Sequence, residues 1–350
     1  MLAGPIVAAV TVFAALLATN AAGVPFRDPD HVVGRRLALV ACAVLLFVLL
    51  DIVVRAALRS RKIVPSREAM RSVQRERWNR RRAAAVGIAL VSFYVTYLAY
   101  RNLKSLVPLL RPDELYDHQL ADFERGLFGG NDPADLLHTL LGTGIAAETL
   151  SIIYVAFIVL VPMSLALALV WSPDLRGGIF YATALSINWG LGAASYFLLP
   201  AMGPIYAAPA GFADLPATEV SRLQGLMFDQ RIDFLRDPGA ADAAQNIAAF
   251  GSLHISITLT AAIAAHMLGL GRGLRVGLWI LVALSAIATI YWGWHYVVDD
   301  VAGVAIALAA IAIARRLTGF EARIPRPAPV LAGRAAAALK RGVGRRDRGE

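Results

Sequence analysis

The sequence predicts an all-α, polytopic membrane protein, on three observations. Hydrophobic residues fill 58% of its 350 positions, and the mean hydropathy is +0.60, against the roughly 45–50% apolar content of soluble domains. Apolar runs recur at lengths near the roughly 20 residues that cross a bilayer. Basic residues cluster on alternate connections between those runs, as the positive-inside rule requires.

Eight spans are predicted, at about residues 2–19, 37–54, 84–100, 146–170, 178–199, 248–269, 274–292 and 299–314. A signal peptide is the alternative for the first, but no basic stretch precedes it. The connection from Arg55 to Arg82 is crowded with Arg and Lys, opposed only by Glu68 and Glu76. The turns at Arg176 and at Arg272 and Arg275 are basic too, as is the tail with Arg315, Arg316, Arg345 and Arg346. Connections 101–145 and 200–246 instead carry Asp113, Glu114, Asp117, Asp214, Asp229 and Asp233. Both termini are therefore expected in the cytoplasm, which agrees with an even number of spans. The alanine- and arginine-rich composition points to a bacterial plasma membrane. Because the basic blocks adjoin spans, the net charge of +9 reflects topology and anionic-lipid contact, and no nucleic-acid partner is expected.

Residues 1–83 read as two amino-terminal spans with a basic cytoplasmic loop, 84–316 as a six-helix membrane domain, and 317–350 as a basic, disordered cytoplasmic tail. From Leu115 to Leu127 apolar residues are spaced among acids as in a short amphipathic helix at the interface. Connection 200–246 opens with Pro200-Ala201-Met202-Gly203-Pro204-Ile205-Tyr206, a run that stops a helix and shapes a turn. It is long enough to be a lid, with Gly203 and Tyr206 as lid or pocket residues, or it is an ordinary surface excursion. Cys42 stands alone in an apolar run, which leaves no disulfide framework and no thiolate metal set.

Threading these spans brings three distant clusters to one membrane face. Lys104 and Arg111 follow the third span, His254 opens the sixth in Gly251-Ser252-Leu253-His254, and His295 closes the seventh. His295 and Asp299 are four apart and share a helical face. Asp299 is expected to accept the Nδ1 proton and leave Nε2 as the attacking lone pair. His254 is expected to protonate the departing oxygen. Lys104 and Arg111 are seven apart, on one face if the segment is helical, although Pro108 lies between them. Both are expected to hold phosphate, with Arg101 as a close substitute and Ser252 and the Gly251 backbone adding contacts at a helix start. Together these groups point to phosphoryl transfer from a lipid-linked phosphate through a covalent phosphohistidine. No metal-ligand set and no nucleotide fingerprint is present, so no cofactor is expected.

Other polar groups receive quieter assignments. Asp300 is expected to be a cap or a solvent contact, and Tyr291, Trp292 and Trp294 to form an aromatic belt. Glu148 and Asn188 suit helix–helix hydrogen bonding. His31, His118 and His138 lack partner spacing, and His266 falls at the far end of the sixth span.

Lys104-x6-Arg111-Pro112, Gly251-Ser252-Leu253-His254 and His295-x3-Asp299-x3-Gly303 resemble the three signatures of the type 2 phosphatidic acid phosphatase superfamily. Leu199-Pro200-Ala201-Met202-Gly203-Pro204-Ile205-Tyr206 and Tyr291-Trp292-Gly293-Trp294-His295-Tyr296-Val297-Val298-Asp299 look like its inositol phosphorylceramide synthase branch. The resemblance covers roughly residues 100–315. It implies a metal-independent helical-bundle enzyme with His295 as nucleophile, Asp299 as its orienter, His254 as proton donor, and a site on the extracytoplasmic side. Two positions depart from the superfamily pattern. Thr289 stands where an arginine is usual six residues before the nucleophile, as in the synthase branch. Gly251 stands where a proline usually precedes the serine.

The leading expectation is a phosphotransferase that moves a head-group phosphate from a donor such as phosphatidylinositol to a lipid or sugar hydroxyl. A phosphatase acting on phosphatidate or polyprenyl (pyro)phosphate shares the first half-reaction and differs only in using water. A transporter or non-catalytic scaffold would explain the spans and intramembrane polar groups, but not the gathering of histidines and cations on one face.

Overall fold

A computed structural model describes residues 2–28, 34, 37–172, 174–240 and 243–322. His31 and most of the basic tail lie outside the described residues. Thirteen α-helices make up the regular structure among those described: α1 (Ala3–Ala22), α2 (Leu37–Ser60), α3 (Arg67–Arg77), α4 (Arg80–Leu110), α5 (Asp117–Leu127), α6 (Pro133–Leu141), α7 (Ile145–Trp171), α8 (Leu175–Leu198), α9 (Pro204–Ala207), α10 (Glu219–Arg236), α11 (Leu253–Met267), α12 (Arg272–Tyr291) and α13 (Val297–Thr318).

Each of the eight predicted spans corresponds to a helix. Six of them (α1, α2, α4, α7, α12 and α13) are long and apolar enough to cross a membrane. The other two, α8 and α11, pack inside the bundle. α8 touches α1, α4, α7, α11 and α13, and α11 touches α7, α8, α12 and α13. A helix surrounded by other helices needs no apolar coat, so α8 can bury Thr183, Ser186, Asn188 and Ser195. Asn188 donates to Thr260 of α11 at 3.1 Å and accepts from Ser256, the inter-helix bonding expected of it. Glu148 is exposed in the first turn of α7.

α1 packs on α4 and α8 and buries small residues, Gly4, Ala8, Thr11, Ala15 and Thr19. Small side chains let the backbones approach closely where dispersion contacts must hold helices together. Just past α1, Arg27 donates to the carbonyl of Pro238 at 2.7 Å and exchanges hydrogen bonds with Asn102 of α4. At the opposite end of the bundle, Asp51 of α2 accepts from Arg55, Arg77 and Trp78. Arg77 and Arg82 both donate to the carbonyls of Val170 and Ser172 at the end of α7. The basic connection thus fastens the end away from the histidines.

The amphipathic segment 115–127 forms α5, in agreement with its spacing. Connection 200–246 is more structured than its opening turn implied. It holds α9, a 3₁₀ turn at Pro209–Phe212, and α10, whose cap is Thr218. Val220, Leu223, Met227 and Phe234 recur at the three-to-four-residue spacing of a helix face.

Candidate active site

His295 sits in the short connection between α12 and α13 and is buried, yet its ring lines a cavity of about 180 Å³. Its Nδ1 is 2.9 Å from the carbonyl of Ala249. A carbonyl only accepts, so Nδ1 carries a proton, and in the neutral ring Nε2 keeps the lone pair. Asp299, expected as the acceptor, has Oδ2 at 3.5 Å from Nδ1. That carboxylate accepts from the backbone of Tyr296 at 2.9 Å. The orienting contact is therefore shared, with the backbone carbonyl the shorter partner.

His254 lies in the first turn of α11 and lines the same cavity. Its ring packs against Tyr154 and Phe157 of α7, at centroid distances of 4.3 Å and 4.1 Å. Tyr154 stacks in turn on Trp294 at 5.1 Å. The two imidazole centroids are 6.0 Å apart.

α4 supplies the cations. Arg101 and Lys104 both line the cavity, one turn apart. Lys104 Nζ is 5.0 Å from the ring centroid of Tyr196, a cation–π contact. Arg101 Nη1 donates to the carbonyl of Gln245 at 3.4 Å. Gln245 is fully buried and donates from Nε2 to the carbonyl of Lys104 at 2.7 Å. The stretch of chain from Gln245 to Ala249 thus fixes Arg101 at one end and His295 at the other.

Residues 200–248 complete the enclosure through Met202, Tyr206, Leu223, Met227, Asn246, Ile247 and Ala248. Tyr206 donates to the carbonyl of Gln224 at 3.1 Å. Gly203 has φ +99°, and a Cβ there would strike the carbonyl of Trp294, so glycine is what lets the two segments meet.

Several expected residues lie away from the cavity. Arg111 is the C-cap of α4, after the helix has run through Pro108 and stopped. It donates to the carbonyl of Phe197 and pairs with Glu114. The helix does run from Lys104 to Leu110, but the Arg111 side chain turns to these partners and not to the cavity. Ser252 is buried outside the cavity lining, and its hydroxyl caps α11 by accepting from Ile255. Gly251 has φ +81° and packs against Ser195 so closely that a Cβ would collide. A proline, locked near −65°, has no place there, which accounts for that departure from the usual pattern.

Asp300 is neither a cap nor a solvent contact: it is buried and accepts from Thr289 at 3.1 Å. Thr289 thus partners a carboxylate where an arginine is usual. Tyr291, Trp292 and Trp294 are buried and form no belt. Tyr291 donates to the carbonyl of Gly142, and its own carbonyl is 2.8 Å from His138 Nε2. His118 pairs with Asp122 on α5. His266 accepts from Trp279 at 2.9 Å, at the end of α11 opposite His254.

Glu124 escaped the sequence reading. It is buried, and its carboxylate accepts from the backbone amides of Val297 and Val298 at the start of α13. Burial pushes its carboxyl from the ordinary 4.5 up to about 7, against the pull of those amides and with a push from Asp299 and Asp300. A group raised in the folded state contributes stability that is fully present below 4.5 and lost as pH rises through 7. Wild-type stability in detergent should therefore fall between pH 5 and 8 by more than that of Glu124→Gln, on the order of 2 kcal/mol, as read by thermal unfolding. Parallel curves for the two proteins would refute this assignment.

Fold and cavity together define an integral membrane protein with paired histidines and two cations around one enclosed space. A family model described as the PAP2 superfamily matches residues 118–313, more than half of the chain. The protein belongs to that superfamily. The match contains His254, His295 and Asp299 and begins after Arg101 and Lys104. No curated protein and no solved structure matches the chain.

Proposed function

We propose that the protein is a lipid phosphotransferase working through a phosphohistidine on His295. The observation that carries this reading is the pair of imidazoles 6.0 Å apart in a cavity that also receives Arg101 and Lys104. His295 Nε2 attacks the phosphorus of a donor such as phosphatidylinositol. The bond from phosphorus to the diacylglycerol oxygen breaks, and His254 gives that oxygen its proton. In the second step the acceptor hydroxyl loses its proton to His254 and attacks phosphorus, and the N–P bond breaks. Arg101 and Lys104 neutralise the non-bridging oxygens, replacing Arg111 and Ser252 in that role. This chemistry calls on no metal.

Transfer rather than hydrolysis is favoured by the covering over the cavity. Met202, Tyr206, Leu223 and Met227 place apolar and aromatic surface above the histidines, which disfavours water as the acceptor. The site lies at the end of the bundle away from the Arg55–Arg82 connection, which supports an extracytoplasmic orientation. The test is to incubate the protein in nanodiscs with phosphatidylinositol, phosphatidate and candidate lipid and sugar alcohols, and to identify products by mass spectrometry. A transferred head-group phosphate is the expected product. Release of free phosphate or head-group phosphate with every acceptor present would make the protein a lipid phosphatase instead.

A further inference from the structure

We propose that Asp117 and Glu124 of α5 are positioning residues that clamp the His295 connection to the covering segment. They stand two helical turns apart on one face and are both buried. The Asp117 carboxylate accepts from the amides of Met202 and Gly203, at 2.9 Å and 2.8 Å. The same carboxylate accepts from the Tyr296 hydroxyl at 3.1 Å. One side chain therefore ties the first turn of the covering segment to the residue after the nucleophile. Glu124 holds the next two amides, those of Val297 and Val298, which a helix start otherwise leaves without partners.

The connection is pinned on its other side as well. Ile205 donates to the carbonyl of Gly293 at 2.9 Å, and the His295 ring is held by Ala249. Neither α5 residue touches the cavity, so their effect reaches the chemistry only through the placement of His295 and of the cover. A misplacement of about 1 Å at a reacting atom costs on the order of 10²-fold in rate, which makes such a clamp consequential for turnover. The assignment of His295 as the reacting atom rests on the proposed function, whereas the clamp itself is a matter of geometry. Exchange and turnover, measured side by side, separate the two.

The full chain in detergent micelles is compared with Asp117→Ala, Asp117→Asn, Glu124→Ala and Tyr296→Phe. Two readouts are taken: hydrogen–deuterium exchange over residues 291–299, and turnover of a dioctanoyl lipid phosphate ester with a lipid or sugar alcohol present as acceptor, so that both half-reactions run. Asp117→Ala and Glu124→Ala are expected to speed exchange at Val297 and Val298 by at least about tenfold, through local opening. They should lower kcat about 10- to 100-fold while KM moves less than about threefold. Tyr296→Phe keeps the ring and leaves the Met202 and Gly203 amides on Asp117, so it isolates the link to the nucleophile and should also lower kcat. Asp117→Asn keeps an acceptor oxygen and should recover most of the loss. Unchanged exchange in Asp117→Ala, Glu124→Ala and Tyr296→Phe overturns the clamp, as does an activity loss confined to KM. If His295→Ala still turns over the ester, the proposed nucleophile falls, and the exchange data still decide the clamp.

Discussion

Replacing His295 by alanine is expected to lower turnover by about 10⁴-fold or more, because it removes the imidazole that carries the covalent intermediate. Lys104 and Arg101 are cations with no lone pair to offer while charged, and His254 packs against Tyr154 and Phe157. The folded protein should survive the change: the ring gives up its hydrogen bond to Ala249, worth about 1 kcal/mol, and its contact with Asp299, a carboxylate that keeps the Tyr296 amide. The measurement uses a donor labelled in its phosphate and rapid quenching into alkali, in which a phosphoramidate survives and from which it is released by acid. Wild type should carry acid-labile label in the peptide containing His295, and His295→Ala should carry none. Label retained after the substitution, or found on His254, would remove His295 from the mechanism.

The reach of the sequence is clearest at the helix ends. Charge on the connections indicated which ends share a face, and the structure gathers His254, His295, Lys104 and Arg101 around one cavity as that threading requires. Spacing alone misled where a shared helical face did not carry a side chain to the cavity, as for Arg111, which turns to the Phe197 carbonyl and Glu114. It also misled where one signal serves two ends. Aromatic residues at a helix terminus suit a membrane belt or a cavity wall equally, and Trp294 belongs to the wall.

Two further features could not be read in advance for a different reason. The partner that sets the His295 tautomer is a backbone carbonyl, which every residue has and no residue type announces. Asp117 and Glu124 lie more than 170 positions from the residues they hold beside His295, and on their own they look like the polar face of an interfacial helix. Buried acids and exposed acids have the same letters; only packing tells them apart. The α10 helix, by contrast, is legible in the spacing of Val220, Leu223, Met227 and Phe234, although the expectation for 200–246 was a lid or a surface excursion.

His254→Gln is expected to cost about 10²- to 10⁴-fold on an alkyl phosphate ester, the range for loss of a general acid. Glutamine fills much of the space beside Tyr154 and Phe157 and keeps the cavity closed, so the loss reports chemistry more than packing. The discriminating measurement is the pre-steady-state release of the leaving group by the same variant from an aryl ester such as p-nitrophenyl phosphate, whose leaving group is stable as an anion and needs no proton. There the first step should be nearly restored, to within about tenfold of wild type. Alkyl and aryl esters losing the same factor would deny His254 the acid role. It would then be a third phosphate contact beside Arg101 and Lys104, and the proton for the lipid oxygen would have to come from elsewhere in the cavity. Tyr206 has its hydroxyl already committed to the carbonyl of Gln224, whereas Lys104 has three protons and lines the same wall. The two differ in how freely they can give a proton, and the shape of the pH–rate profile would choose between them.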